Sequence, residues 1–175
     1  HKTRKINFTL VVDDFGIKYT NKDDIDHLFA AIKDKYPLKI DWEGAKYVGI
    51  DLEWNYTKRE VILSMKGYVE RALKQFKHLQ PTKHHYGPTK YKPPEYGQKI
   101  QYTTVDTSPE LTQTQKQFIQ QVCGKFLYNG RGVDATQLHP LNELSIKATE
   151  ATEETQTALI QFLNYIASNP DGTII

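Results

Sequence analysis

Two adjacent carboxylates, Asp13 and Asp14, lie between the β-prone runs Phe8-Thr9-Leu10-Val11-Val12 and Phe15-Gly16-Ile17-Lys18-Tyr19. An apolar run, two acids, a glycine and a second β-prone run spell a hairpin with carboxylates at its tip. Hard cations such as Mg²⁺ take oxygen ligands, and a rigid turn fixes side-chain direction, so such a tip can seat a metal for phosphoryl-transfer chemistry. Asp-Asp is also ordinary turn chemistry, because Asp accepts turn conformations and bonds its own backbone. His78, His84 and His85 invite a zinc reading, but no acid or Cys stands near them at a helpful spacing. Cys123 falls on an apolar helical stripe and reads as a small core residue.

Several elements must hold the acid pair. Ile6, Phe8, Leu10 and Val12 alternate with Asn7, Thr9, Val11 and Asp13, which predicts a strand with Asp13 on the face opposite the Ile/Phe/Leu row. Thr20 or Asn21 can cap a helix from about Lys22 to Lys35, with Ile25, Leu28, Phe29 and Ile32 on its apolar side. Pro37 ends it, and Leu38-Lys39-Ile40 reads as a short strand. Residues 46–54 and 60–65 read as two more strands, joined by a hairpin loop at Asn55-Tyr56-Thr57-Lys58-Arg59. Gly49 inside the first of them marks a bulge or the close approach of another backbone.

From Lys66 the period becomes helical, with Tyr68, Val69, Ala72, Leu73 and Phe76 on one stripe. Periodicity is lost from His78 to Ser108, where Pro81, Pro88, Pro93 and Pro94 accompany Tyr86, Tyr91, Tyr96 and Tyr102 and Lys83, Lys90, Lys92 and Lys99. This is a basic, aromatic linker or long loop, and stacking and phosphate contacts are uses open to it. Ser108-Pro109-Glu110 predicts a helix start. That helix buries Phe118, Ile119, Val122, Cys123, Phe126 and Leu127, and carries Gln120, Gly124 and Tyr128 together on a neighbouring face. A glycine in mid-helix costs about 1 kcal/mol relative to Ala, so it usually answers a demand for close approach.

Asn129-Gly130-Arg131-Gly132 reads as a break, after which Asp134 caps a helix with Leu138, Leu141, Leu144 and Ala148, kinked or restarted at Pro140. Thr152-Glu153-Glu154 opens a last helix, with Leu159, Phe162, Leu163, Ile166 and Ala167 inside, stopped by Asn169-Pro170. Thr173-Ile174-Ile175 reads as the beginning of a strand, and the chain as a segment of a longer polypeptide. Net charge is +2, unevenly spread: through Val105 there are 19 basic and 13 acidic residues, and from Asp106 there are 4 and 8. A polyanion would meet the first part, although lysines also solubilise surfaces. One cysteine fits a reducing, intracellular setting, and no apolar run is long enough to span a membrane.

The order of hairpin with Asp-Asp at its tip, helix, hairpin and helices resembles the back half of a reverse transcriptase palm running into its thumb and connection. The resemblance is to the Pol polyproteins of LTR retrotransposons, copia-type ahead of gypsy-type. Val11-Val12-Asp13-Asp14 stands where that family carries Tyr-x-Asp-Asp. Tyr47-Val48-Gly49-Ile50-Asp51-Leu52 is similar to the strand that begins the primer grip, and Val61-Ile62-Leu63-Ser64-Met65-Lys66-Gly67-Tyr68-Val69 to the step into the next helix. Ile119-Gln120-Gln121-Val122-Cys123-Gly124-Lys125-Phe126-Leu127-Tyr128 is similar to the thumb helix, and Asn169-Pro170-Asp171-Gly172 to the join before an RNase H domain.

The resemblance implies an α+β fold: a partial polymerase palm of antiparallel hairpins with a packed helix over residues 1–65, then a thumb-entry helix and linker over 66–108. A helical thumb or connection region over 109–169 and the start of an RNase H-like strand at 170–175 would follow. It implies RNA-directed DNA polymerase activity with two Mg²⁺ ions, or Mn²⁺, held by Asp13 and Asp14. Val12 would touch the incoming nucleotide, and Tyr47, Val48 and Gly49 would place the primer end, closeness to a sugar-phosphate backbone explaining the glycine. Gln120, Gly124, Lys125 and Tyr128 would meet the RNA/DNA template-primer duplex. The expected partners are that duplex, a deoxynucleoside triphosphate, and upstream fingers and downstream RNase H of the same polyprotein, with no membrane. The expected setting is cytoplasmic, in a virus-like particle, or nuclear.

Val11 departs from the family's aromatic, which leaves the ligands intact and changes the packing under the primer end. The third carboxylate and the triphosphate-binding fingers would lie upstream of His1, so the segment alone is not expected to polymerise DNA. A decayed, non-catalytic nucleic-acid-binding module of the same fold, and a protein-interaction domain in which the acids are a plain turn, are the competing expectations.

Overall fold

The computed structural model describes residues 3–91, 93–94, 96–97 and 105–175. The architecture is mixed α+β, with antiparallel hairpins and, among the described residues, five α-helices. The chain divides into two compact units, residues 1–63 with Ile175 and residues 64–174. Among the described residues no helix is long and apolar enough to cross a membrane.

The first unit opens with strands β1 (Ile6–Val11) and β2 (Asp14–Tyr19), paired from Ile6↔Tyr19 to Val11↔Asp14. Directly opposed residues share a face. Ile6, Phe8 and Leu10 therefore lie with Phe15, Ile17 and Tyr19, and Asn7, Thr9 and Val11 with Asp14, Gly16 and Lys18. The apolar row was expected to be core, yet Phe8 is 59% and Leu10 50% exposed. A two-stranded ribbon has too little partner surface in its own unit to bury that row. Helix α1 (Lys22–Lys33) is capped by Asn21, whose side chain accepts from the Asp23 amide at 3.0 Å. Arg4 donates to Asp24 at 2.8 Å, and Ile25 is buried to 1% exposure.

Leu38-Lys39-Ile40 is irregular rather than a strand, because β-propensity without a ladder partner makes none. The long strand expected over 46–54 is in fact a tight hairpin of β3 (Lys46–Tyr47) and β4 (Ile50–Asn55), closed by Val48 and Gly49. Strand β5 (Glu60–Ser64) follows beside β4.

The second unit packs helices α2 (Tyr68–Gln75), α3 (Gln113–Gly132), α4 (Leu138–Lys147) and α5 (Glu153–Ser168), and ends in the short strand β6 (Thr173–Ile174). Its core joins Val69 and Leu73 of α2, Ile119, Val122 and Phe126 of α3, Leu141 and Leu144 of α4, and Leu159, Phe162 and Ile166 of α5. Phe126 and Phe162 meet edge to face at 5.8 Å, and Phe76 packs on both Phe118 and Phe126. Cys123 is buried there as expected, and burial pushes its thiol pKa up.

Both ends of α3 differ from what the sequence predicts. Helix α3 starts at Gln113 behind Thr112, whose backbone N–H donates to Gln115 at 3.0 Å. Ser108 serves another helix: its hydroxyl accepts from the Glu154 amide at 3.2 Å in the first turn of α5. Glu110 and Thr152 form a bridge, and Leu111 N–H donates to Ala151 at 2.8 Å. The helix signals at Ser108-Pro109-Glu110 thus operate across space rather than along the chain. Helix α3 also continues through Asn129–Gly132, because Gly130 lets it close on the following turn; a Cβ there would stand 3.1 Å from Leu138 Cδ2. Pro140 sits in the first turn of α4, where a missing N–H breaks no helical bond.

The stretch from His78 to Gly87, expected as linker, lies along α5. His78 Nε2 bonds Asn164 Oδ1 at 2.9 Å, and His85 Nδ1 bonds Gln161 Oε1 at 3.2 Å. Gln161 Nε2 donates to the Gly87 carbonyl at 2.8 Å, and Asn169 Nδ2 to the His85 carbonyl at 2.9 Å. These histidines have amide partners rather than a metal-ligand set. Lys92, Lys99 and Tyr102 lie outside the described residues.

Asp106 ties the entry of α3 to that of α5. It accepts from Ser108 Oγ at 2.6 Å, from the Ser108 amide at 2.9 Å, and from the Thr152 hydroxyl. Ser108 first, then Thr152, hold its carboxyl at about 2, below its ordinary value of 3.8. A depressed carboxylate pKa gives stability that is present above the unfolded value and lost as pH falls through the folded one. Asp106→Asn is therefore expected to flatten the loss of stability between about pH 4 and pH 2, and to lower the melting temperature at neutral pH, both read by thermal unfolding across pH.

Candidate functional site

The β1–β2 loop holds two residues, Val12 and Asp13, because Val11 already pairs with Asp14. So short a connection must turn through positive φ, and the burden falls on a β-branched residue: Val12 has φ +57° and is 92% exposed. Such a backbone costs about 1–3 kcal/mol and persists only where its surroundings impose it. Asp13 and Asp14 both face solvent, Asp13 within the loop and Asp14 on the Thr9/Gly16 face. The expectation that Asp13 would stand in the strand opposite the apolar row is not met: the chain turns at Val12, Asp13 is a loop residue, and Asp14 is the acid opposite that row.

Tyr47 belongs to the same face. Its hydroxyl and that of Thr9 are hydrogen-bonded at 2.9 Å, and its ring lies over Gly16. A Cβ at Gly16 would come 2.8 Å from Thr9 Oγ1 and 3.2 Å from Tyr47 Cε2, so the strand needs glycine there for the ring to lie down. At ~3.3 Å per residue, Gly16 is about 6.6 Å along β2 from Asp14. The Tyr47 ring thus flanks the carboxylates on the sheet face that carries Asp14.

What carries Tyr47 there is a turn centred on Asp41. The Asp41 carboxylate accepts from the amides of Glu43 at 3.1 Å, Gly44 at 3.2 Å, Ala45 at 2.8 Å and Lys46 at 3.2 Å. Partial desolvation works against the charge, but the four N–H donors prevail and its pKa is lowered. Trp42 packs edge to face on Phe29 at 5.5 Å beneath the Lys22 ammonium, which anchors the turn to α1. Beyond Tyr47 the chain reverses at Val48, φ +48°, and Gly49, φ +73°. Consecutive positive φ values are those of a two-residue hairpin turn, so the turn itself demands Gly49, and neither a bulge nor an approaching sugar-phosphate backbone is needed to explain it.

In the second unit, Gln120, Gly124 and Tyr128 are exposed on one face of α3, as their spacing predicted. Apart from its two chain neighbours and the nearby backbone of its own helix, nothing described lies within 4 Å of the place a Cβ would take at Gly124, in contrast to Gly130. Nothing described inside the chain therefore accounts for the glycine. Beside it, the Lys125 ammonium rests over the Tyr68 ring at 5.4 Å, Tyr68 donates to the Lys125 carbonyl at 2.7 Å, and the Tyr68 and Tyr128 rings meet at 5.8 Å. Desolvation, then the neighbouring Tyr128, raises the Tyr68 pKa.

The first unit thus gathers Asp13, Asp14, Val12 and Tyr47, with Val48 and Gly49 one step beyond, and α3 gathers Gln120, Gly124, Lys125 and Tyr128. Thr9, Gly16 and Asp41 were not picked out from the sequence, although a glycine inside a β pattern was a usable signal for the first two. As a donor set, two adjacent exposed carboxylates suit a hard, oxygen-seeking cation. Among the described residues no group of three or more His, Cys, Asp or Glu side chains is assembled for a metal. Comparison with protein-family models, with curated proteins and with solved structures finds no match to this chain.

Gly16→Ala should lift Tyr47 from the sheet, break its bond to Thr9, and shift the near-ultraviolet and ring NMR signals of Tyr47. Tyr47→Phe, which removes only that bond, should cost about 1 kcal/mol in denaturant unfolding and leave the ring in place.

Proposed function

We propose that this chain is the carboxyl-terminal palm and the thumb or connection part of an RNA-directed DNA polymerase of the LTR-retrotransposon kind, copia-type rather than gypsy-type. The observation that carries this reading is the tip of the first hairpin. Two consecutive acids, Asp13 in a two-residue loop behind a strained valine and Asp14 opening the next strand, stand at this tip, and an aromatic side chain is fixed on the sheet face of the second. Strain of this kind is concentrated at functional sites.

Asp13 and Asp14 would hold the divalent ions, which when bound supply the charge stabilisation a nucleotidyl transfer needs. Val12, almost wholly exposed, would bear on the incoming nucleotide and the primer end. Tyr47, held by Thr9 and seated on Gly16, would keep the primer end beside the acids, with the tight Val48-Gly49 turn directly after it. On α3, Gln120 and Tyr128 would present polar groups to the template-primer duplex, Gly124 would let the helix close on it, and Lys125 would meet phosphate. The open apolar face of Phe8, Leu10 and Phe15 is consistent with an upstream palm and fingers covering it in the polyprotein, with RNase H downstream. The setting would be intracellular.

A second reading, a decayed module that grips nucleic acid without catalysis, is favoured by Gly124, whose open face would admit a duplex whether or not the carboxylates act. Primer extension by the full-length polypeptide with Mg²⁺ or Mn²⁺ separates the two. Asp13→Asn and Asp14→Asn should each lower extension by at least about a hundredfold while leaving duplex affinity within about twofold, on the order of the losses when a group that stabilises transition-state charge is removed. No extension by the parent, with duplex binding retained, would favour the decayed module.

Gly124→Ala gives a test in which stability and binding part company. The added methyl meets open space, so the helix should gain up to about 1 kcal/mol, read by thermal unfolding. Affinity for a template-primer duplex should fall several-fold; unchanged affinity would remove the α3 face from the proposed interface.

A further inference from the structure

We propose that the tip of the β4–β5 hairpin is a stacking site for unpaired bases of single-stranded nucleic acid. Trp54 and Tyr56 stand with their rings nearly parallel, 10° between planes and 6.2 Å between centroids, and they are 48% and 80% exposed. Large aromatic faces left open in this way are unusual unless a partner covers them. The pair is held ready rather than loose. Trp54 Nε1 donates to the Gly44 carbonyl at 2.8 Å, and Gly44 is itself fixed by the Asp41 carboxylate. The loop is drawn tight by the Lys58 amide donating to Asn55 Oδ1 at 3.0 Å, and Arg59 takes φ +59°, a third non-glycine residue of this unit in the left-handed region.

Charge selects the occupant. Residues 55–59 carry two cations, Lys58 and Arg59, and no acid, and among the described residues neither cation is in an ion pair; Glu60 follows as β5 begins. Parallel aromatic faces beside paired cations match a chain of planar bases on a phosphate backbone, the combination by which single strands are bound without sequence preference. A paired duplex hides its base faces, so the site discriminates for unpaired strand. A proline-rich peptide would use the rings but has no need of the cations.

The proposal goes beyond the polymerase reading and does not need it: it concerns neither the carboxylates nor the α3 face. The probe is a labelled oligothymidylate, followed by anisotropy and by quenching of tryptophan fluorescence, with a blunt duplex and a proline-rich peptide as parallel arms. Tyr56→Ala should weaken oligothymidylate binding about tenfold at unchanged melting temperature, with blunt-duplex affinity unaltered and Tyr56→Phe close to the parent. Lys58→Ser with Arg59→Ser should reduce the slope of log affinity against log salt by about 1.4. The proposal is overturned if the parent does not bind the oligonucleotide at low salt, if Tyr56→Ala binds it as tightly as the parent, if duplex and single strand weaken equally, or if only the proline-rich peptide is captured in a Tyr56-dependent way.

Discussion

The pairing of Val11 with Asp14 is the constraint from which the candidate site follows. Once these residues are opposed, two residues must reverse the chain, and a valine is driven into a backbone region that its branched side chain disfavours. The same closure leaves Asp13 in the loop next to Asp14 in the strand and commits Asp14 to the face of Thr9 and Gly16. Gly16 leaves the space in which Tyr47 lies, and Tyr47 is brought there by a turn whose four amides converge on Asp41. A longer loop would relieve Val12 and release the geometry together.

The two units are stabilised in different ways. The second is a helical core in which aromatic edges and faces interlock, and its polar edges are closed by Asp106, Ser108 and Thr152 and by the amides that fasten residues 78–87 to α5. The first has Ile25 at its centre and an apolar sheet face in the open, and it depends more on turns, caps and hydrogen bonds. Its strained valines, Val12 and Val48, lie at the tips of its two shortest hairpins, so the strain falls where the candidate chemistry does.

The helices were legible because an amphipathic stripe states both element and orientation: Ile119, Val122, Cys123 and Phe126 are buried where their spacing put them. The first hairpin was legible from its acids and flanking β-prone runs, and the exposed Gln120/Gly124/Tyr128 face from its period of four. What failed had its cause elsewhere in the chain. Ser108 carries a cap's chemistry but gives it to α5; Gly49 carries the mark of a bulge and makes a turn; Leu38-Lys39-Ile40 has strand composition and no strand to join. Asp41, one of several turn acids by composition, proves to be the organiser of the loop before Tyr47, and only the convergence of four backbone amides reveals it. Nor could alternation tell a buried row from an open one, as Phe8 and Leu10 demonstrate.

The central claim is that the Asp13-Asp14 tip is a divalent-cation seat with Tyr47 at its border. Paramagnetic broadening by Mn²⁺ of the amide and ring resonances of this chain addresses it most directly. The account predicts that substoichiometric Mn²⁺ broadens Val12, Asp13 and Asp14 first and the Tyr47 ring with them, and that Asp13→Asn with Asp14→Asn abolishes the effect. Broadening that begins at other acidic residues, or that survives the double substitution, would contradict it.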